Sequence, residues 1–322
     1  MTLLYFDPFC FEHQTGNHPE NAQRVRRTME TLQENGLAKH CTRKQWVPAS
    51  PEQIRLVHPT RYVESLEGEV AKGGGRIEAD TVVSPKSVDV ARITAGAALD
   101  AVEQVVRGQD SNAFCLMRPP GHHALVDAPM GFCLFNHAAI AAKYAIDGLG
   151  LNRVMVVDWD VHHGNGTQDI FWTDPAVGFF SMHRFPFYPG SGEASEVGSG
   201  DGLGTTVNLP IQLGTSRELQ LKAFRLSLEK FARKIRPELI IISAGFDGHH
   251  LDPVGALGLE SEDYVEFTKI VLDIASVHAA GRVVSLLEGG YNPDALAESV
   301  TYHLQTLLDA STEKERVDPA VG

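Results

Sequence analysis

The stretch VMVVDWDVHHGNGTQ, Val154–Gln168, places two carboxylates and two imidazoles directly behind four apolar residues. Val154, Met155, Val156 and Val157 read as a fully buried strand of a parallel sheet, a short apolar run rather than an alternating one. If extended backbone continues past that run, Asp158, Asp160 and His162 project to one side, because strand side chains repeat every second residue. Two carboxylates and an imidazole gathered there are costly to bury unless a cation balances them. Asp160, His162 and a third carboxylate would make a mononuclear site with an open position, which suits metal-assisted hydrolysis. Asp247 is the expected third ligand, since it follows the buried run ELIIISAGF. Taken singly, an Asp in such a place is more often a turn former or a helix N-cap. Joint occurrence at strand ends favours ligation. His249 and His250 are rival donors, but they stand past Asp247 and read as loop residues.

Three further residues carry chemistry. In RPPGHHA, strict alternation would turn His122 and His123 in different directions, yet both lie on one rim. Histidine titrates near neutrality, so either can serve as a general base. The plain alternative is a pair of core histidines satisfied by backbone groups. Tyr291 follows two glycines, and a phenol beside a metal can donate to a developing oxyanion. A lone Tyr after Gly-Gly is otherwise a packing residue.

These residues need elements to hold them. Glu20–Gly36 and Pro59–Lys72 read as surface helices, and Lys86–Gly108 as a small-residue helix suited to close packing on a sheet. Ala113–Met117 reads as a strand, Asn136–Gly148 as a helix and Arg153–Asp158 as a strand. Val177–Met182 and Thr206–Leu209 are expected strands, followed by the helix Glu218–Ile235 and the strand Glu238–Ser243. Ser261–Ala280 reads as helix, Arg282–Leu287 as strand and Asp294–Leu308 as helix. This alternation predicts a parallel sheet covered on both faces. Ligands sit beyond the carboxyl ends of strands in such sheets, which is where the polar loops fall. No repeat or shift in composition marks a boundary, so one domain is expected over residues 1–309, with a frayed polar tail at 310–322.

With 322 residues and 43% hydrophobic content, the chain reads as an ordinary globular protein. Its mean hydropathy of −0.13 agrees. Apolar runs such as Leu239–Ile242 are far too short to cross a bilayer, and the N-terminus lacks the features of a signal peptide. Cys10, Cys41, Cys115 and Cys133 form no paired framework, so reduced thiols in a cytoplasmic protein are expected. A formal charge of −13 argues against direct nucleic-acid binding and is compatible with a cationic substrate.

RPPGHHA, GFCLFN (Gly131–Asn136), DWDVHHGNGTQ, GFD and LEGGY (Leu287–Tyr291) together resemble the zinc-dependent histone deacetylase family. That family includes acetylpolyamine amidohydrolases and acetoin-utilisation proteins. The resemblance runs from His18–Arg24 (HPENAQR) to Tyr291 and implies a single-domain, arginase-like α/β fold. It implies Asp160, His162 and Asp247 as zinc ligands, with ferrous iron as the alternative ion in the cell. His122 and His123 become the acid/base pair, with His122 and the zinc activating water, and Tyr291 the oxyanion donor, with Asp158 orienting His122 and Asn165 meeting His123. Asparagine at 165, where one branch has aspartate, resembles the class II branch and should leave the two histidines unequal in basicity. The resemblance also implies a structural potassium at Asp158, Asp160, His162, Ser181 and Met182, partly through backbone carbonyls. An acyl tunnel would be walled by Phe132 and Tyr188, with Gly131 admitting the substrate stem and Asp80 at the rim. Arg24 is expected on a helix surface, with an internal product channel as the alternative.

The implied activity is hydrolysis of acetyl or similar acyl groups from lysine side chains, in a protein or in a small acetylated amine. Acetylated polyamines are the competing substrate class. Relatives with that preference carry an acidic gatekeeper where this chain has the apolar Val254. A binuclear manganese enzyme would need an Asp where Gly164 stands, and a silent acyl-lysine reader would not need Tyr291, His122 and His123 together. Assembly as a homo-oligomer is compatible with all of these readings.

Overall fold

The computed structural model describes residues 1–317 and builds the chain around one parallel sheet. Its strands are β1 (Leu3–Tyr5), β2 (Thr42–Arg43), β3 (Asn112–Cys115), β4 (Val154–Asp158), β5 (Val177–Arg184), β6 (Thr206–Ile211), β7 (Leu239–Ala244) and β8 (Val283–Leu287). They lie side by side in the order β2-β1-β3-β8-β7-β4-β5-β6, and every neighbouring pair is parallel. The central strands VMVVD, LIIISA and VVSLL are buried at every position. Helices cover both faces of such a sheet, so a central strand has no solvent side and reads as a continuous apolar run. Each buried Val, Leu or Ile contributes roughly 1.5–3 kcal/mol relative to exposure, which locks the register that aligns the strand ends.

The main helices are α1 (Ala22–Glu34), α2 (Thr60–Ala71), α3 (Ser87–Val106), α4 (His137–Lys143), α5 (Arg217–Ile235), α6 (Asp263–His278) and α7 (Pro293–Val317). α3 carries alanine or glycine at six of its buried positions, from Ala91 to Ala101, so its backbone sits close to the sheet. α4 starts where the Asn136 side chain accepts the Ala139 N–H, satisfying one of the free donors of a helix start.

The structure departs from the sequence reading at both ends. The edge strand β2 and its neighbour β1, of two and three residues, are too short to produce a periodic signal. The tail expected from residue 310 is helical as far as Val317. Ser311 is buried there, accepting from Asn112 Nδ2 at 3.0 Å, and residues 318–322 lie outside the described residues. Among the described residues no helix is long and apolar enough to cross a membrane.

Candidate active site

The carboxyl ends of β4, β7 and β8, three adjacent strands, converge on one point. β4 stops at Asp158, so the alternation expected through His162 does not position these residues. The chain coils instead: Asp158 Oδ1 accepts the Asp160 N–H at 3.0 Å, and Asp160 Oδ1 accepts the His162 N–H at 2.9 Å. The two roles set against each other for these aspartates, turn former and ligand, are compatible, because a carboxylate offers about four acceptor positions.

Asp160, His162 and Asp247 each offer a donor atom within 4.8 Å of the others, and all three are buried. His162 Nδ1 lies 3.1 Å from Asp160 Oδ1 and 3.0 Å from Asp247 Oδ2. Burial opposes charge on His162, but hydrogen bonds to the two carboxylates raise it to about 10. Burial, with Asp160 alongside, pushes Asp247 up to about 7. Asp160 stays well below the usual carboxylate range: burial works against its charge, but His122 and His162 outweigh it. Two carboxylates that together draw a positive charge onto an imidazole nitrogen suit a divalent cation. The cradle is shaped for it as well. A Cβ at Gly289 would lie 2.2 Å from Asp247 Oδ2 and 2.5 Å from Asp160 Oδ2, so only glycine lets the β8 loop close over the carboxylates.

His122 and His123 converge rather than diverge, because the PPGHH segment is a turn and not a strand. Their ring centres lie 4.0 Å apart. His122 Nδ1 is 2.9 Å from Asp158 Oδ2, and His123 Nδ1 is 2.7 Å from Asn165 Oδ1. Burial disfavours a charged His122, but Asp158 and Asp160 hold it well above the usual histidine range. Burial, reinforced by His122 and His162, holds His123 well below that range. The two histidines are therefore unequal in basicity, His122 the more basic. Glu288 supports the turn from beneath: its Oε2 accepts the N–H of Gly121 at 2.6 Å and of His122 at 3.2 Å.

A cavity of about 190 Å³ leads to this cluster, lined by Asp80, His123, Gly131, Phe132, His162, Phe187, Tyr188, Val254 and Tyr291. All five expected substrate residues are among them. Phe132 holds a left-handed backbone, φ 70°, and its ring meets Tyr291 edge-on at 5.5 Å. Gly131 allows this wall to approach, since a Cβ there would sit 2.3 Å from His123 Cδ2. Tyr188, 36% exposed, stands edge-on to His123 at 5.3 Å. Burial pushes the Tyr291 phenol well above its ordinary range, so it enters as a proton donor.

Other placements were not legible in the sequence. Phe187 stacks on His162 at 5.3 Å and forms a further wall. Its only sequence signal is its place beside Tyr188. Arg24 is buried, not on a helix surface: it donates to the carbonyls of Gly290 and Glu288, both at 2.5 Å, behind the Tyr291 ring. The polar faces of α1 gave no hint of this. His249, His250 and Glu260 also meet within 4.8 Å. Both nitrogens of His249 are already engaged, Nδ1 accepting the Leu251 N–H and Nε2 facing Ser261 Oγ, whose hydroxyl donates to Glu298. Ser181 lies within β5 opposite Asp158, the last residue of β4, with Met182 next to it.

Residues 18–307 match the family model described as the histone deacetylase domain. The "Probable deacetylase" of Archaeoglobus fulgidus is 38% identical over 90% of this chain and 81% of its own length. The "Histone deacetylase-like amidohydrolase" of Pseudomonas aeruginosa is 35% identical over 90% of this chain and 82% of its own. The human "Polyamine deacetylase HDAC10" is 40% identical over 95% of this chain, which spans 46% of that longer protein. Among solved structures, the HDA15 HD domain superposes with a TM-score of 0.89 at 33% identity, covering 96% of this chain and 90% of that one. The chain belongs to the histone deacetylase family and is an amide hydrolase of the deacetylase type.

Proposed function

We propose that the protein removes acetyl or similar acyl groups from lysine side chains, with Asp160, His162 and Asp247 holding zinc, or ferrous iron in the cell. The observation that carries this reading is the aromatic-lined cavity of about 190 Å³ that brings His123, His162 and Tyr291 together with Phe132, Phe187 and Tyr188. Phe132 and Phe187 grip that stem, and Asp80 at the rim accepts from the substrate backbone. When bound, the divalent cation supplies Lewis-acid polarisation of the scissile carbonyl and of the attacking water. The role of base expected of His122 falls instead to His123, which lines the cavity and is held neutral by burial: it takes the proton of the water and returns it to the leaving amine. Charged His122, braced by Asp158, offsets the negative charge that develops beside it. The Tyr291 hydroxyl donates to the oxyanion. A potassium ion beside the site would draw on Asp158, Asp160 and His162 together with Ser181 and Met182, since Ser181 pairs with Asp158 across neighbouring strands. Four buried free thiols support a reducing, cytoplasmic setting.

Val254 at the mouth separates the two substrate classes. It offers no charge to a second ammonium group, and the diffuse field of a −13 protein is screened over roughly 8 Å at physiological ionic strength. Acetyl-lysine peptide should therefore exceed acetylspermidine in kcat/KM, and Val254→Glu should shift the ratio toward the polyamine. Both substrates are compared with both enzymes at two salt concentrations. A wild-type preference for acetylspermidine at high salt would hand the site to small acetylated amines.

A further inference from the structure

The turn that carries Val254 is built on a buried carboxylate that no part of the chemistry above uses. Asp252 Oδ1 accepts the N–H groups of Val254 and Gly255, each at 2.9 Å. Asp252 Oδ2 accepts the N–H of Tyr291 at 2.6 Å, from a segment 39 residues away in the chain. One side chain therefore ties the mouth of the tunnel to the backbone of the oxyanion donor.

Tyr291 needs such a tie. It follows Gly290, which has φ 123°, a region open to glycine, so the chain there has little intrinsic preference. The segment is pinned on alternate sides: the Gly289 N–H to Asp160 Oδ2 at 2.8 Å, the Gly290 carbonyl to Arg24, and the Tyr291 N–H to Asp252. The Asp252 end is itself braced. Ala256 holds a left-handed φ of 67° and donates its N–H to the Asp247 carbonyl at 2.7 Å. Arg184 donates to the Gly255 carbonyl at 3.2 Å while lying over the Phe187 ring at 4.1 Å. Non-glycine residues keep left-handed backbones only where surrounding contacts impose them. The turn is thus a rigid block, joined through Asp252 to the residue that must place a hydroxyl within a few tenths of an ångström.

We propose that Asp252 is a positioning residue for Tyr291, acting through its backbone and coupling the residue at the tunnel mouth to the oxyanion donor. This rests on the reading in which Tyr291 holds the oxyanion. Asparagine at 252 can present its one carbonyl to the turn or to Tyr291 but not to both, and a buried N–H left unpaired relaxes.

The test is a double-mutant cycle of Asp252→Asn and Tyr291→Phe on the metal-loaded enzyme, with amide hydrogen exchange over residues 288–292 as a second readout. In Asp252→Asn, kcat on acetyl-lysine peptide should fall roughly 10- to 100-fold with KM within about threefold, and exchange at 288–292 should accelerate. In the Tyr291→Phe background the same substitution should cost less than about threefold, because the hydroxyl it positions is gone. Metal content and thermal unfolding check that the fold persists, and if Asp252→Asn fails that check, Asp252→Glu takes its place in the same cycle. Losses that multiply in full, or unchanged exchange, overturn the role of Asp252. Tyr291→Phe at wild-type rates overturns instead the oxyanion reading beneath it.

Discussion

Asp247 carries two loads that pull in different directions. Its Oδ1 accepts the Val161 N–H at 2.9 Å, a structural bond, while its Oδ2 faces His162 across the metal cluster. Removing the carboxylate leaves two donors, Asp160 and His162, and a divalent site of that kind holds its ion weakly. Asp247→Ala should therefore lose both its tightly bound metal and its activity, read by elemental analysis after dialysis. Stoichiometric metal in that variant would move the third ligand elsewhere. The choice of Asp247 was legible because a buried strand must end in a rim loop and few carboxylates follow one directly. Asp252 and Arg24 were not legible. Asp252 lies five positions after Asp247, in a loop whose path no periodicity describes, and Arg24 is held by two backbone carbonyls and by Glu20 four residues before it, a pair that reads equally well as an exposed one.

Strands and turns set how closely the cluster packs. The β8 loop passes over both carboxylates, and its Gly289 N–H ends on Asp160 Oδ2. Gly289→Ala inserts a methyl against two carboxylate oxygens, which must move apart by several tenths of an ångström. Metal affinity should drop on the order of 10- to 100-fold, the usual cost of disturbing the groups that orient ligands. Competition with a chromophoric chelator measures it. Gly68→Ala, inside α2 with nothing within 4 Å of the added methyl, is the matched control and should be neutral or slightly stabilising. Equal metal affinity in both variants would show that the loop yields. At this scale the buried strands were readable in the sequence to within a residue or two, while the turns between them were not. Alternation predicted diverging histidines at 122 and 123, and the turn made them converge.

Across the molecule, several imidazoles are buried in neutral form far from the metal cluster. His58 accepts the Asn136 N–H on Nε2 and donates from Nδ1 to the Val126 carbonyl, and burial lowers it to about 4. His303 lies between the hydroxyls of Thr268 and Ser285, and burial lowers it to about 3. His13, beside Ser87, is lowered to about 3 by burial, which outweighs Glu20. The unfolded chain binds protons at these sites near pH 6.5 and the native protein does not, so stability is full above that pH. It falls as pH drops, and the decline levels off near the folded values of about 4 and 3. Three such groups give a loss on the order of 4 kcal/mol per pH unit in the steep part of that window. Urea midpoints at pH 7.5 and 5.5 should therefore differ by less in His303→Gln than in wild type, and an unchanged difference in that variant would show that His303 does not titrate on unfolding. By itself the sequence determined the α/β class, the central strands and the set of polar loops, because burial on both faces imposes an apolar run and strand ends must lie on one rim. It also carried the residue types of the Asp160, His162 and Asp247 cluster and of the neighbouring His122 and His123. Tertiary structure decided which histidine is the more basic, which glycines allow closure and which buried groups surround Tyr291. Those outcomes depend on distances between segments far apart in the chain, and no local pattern encodes them.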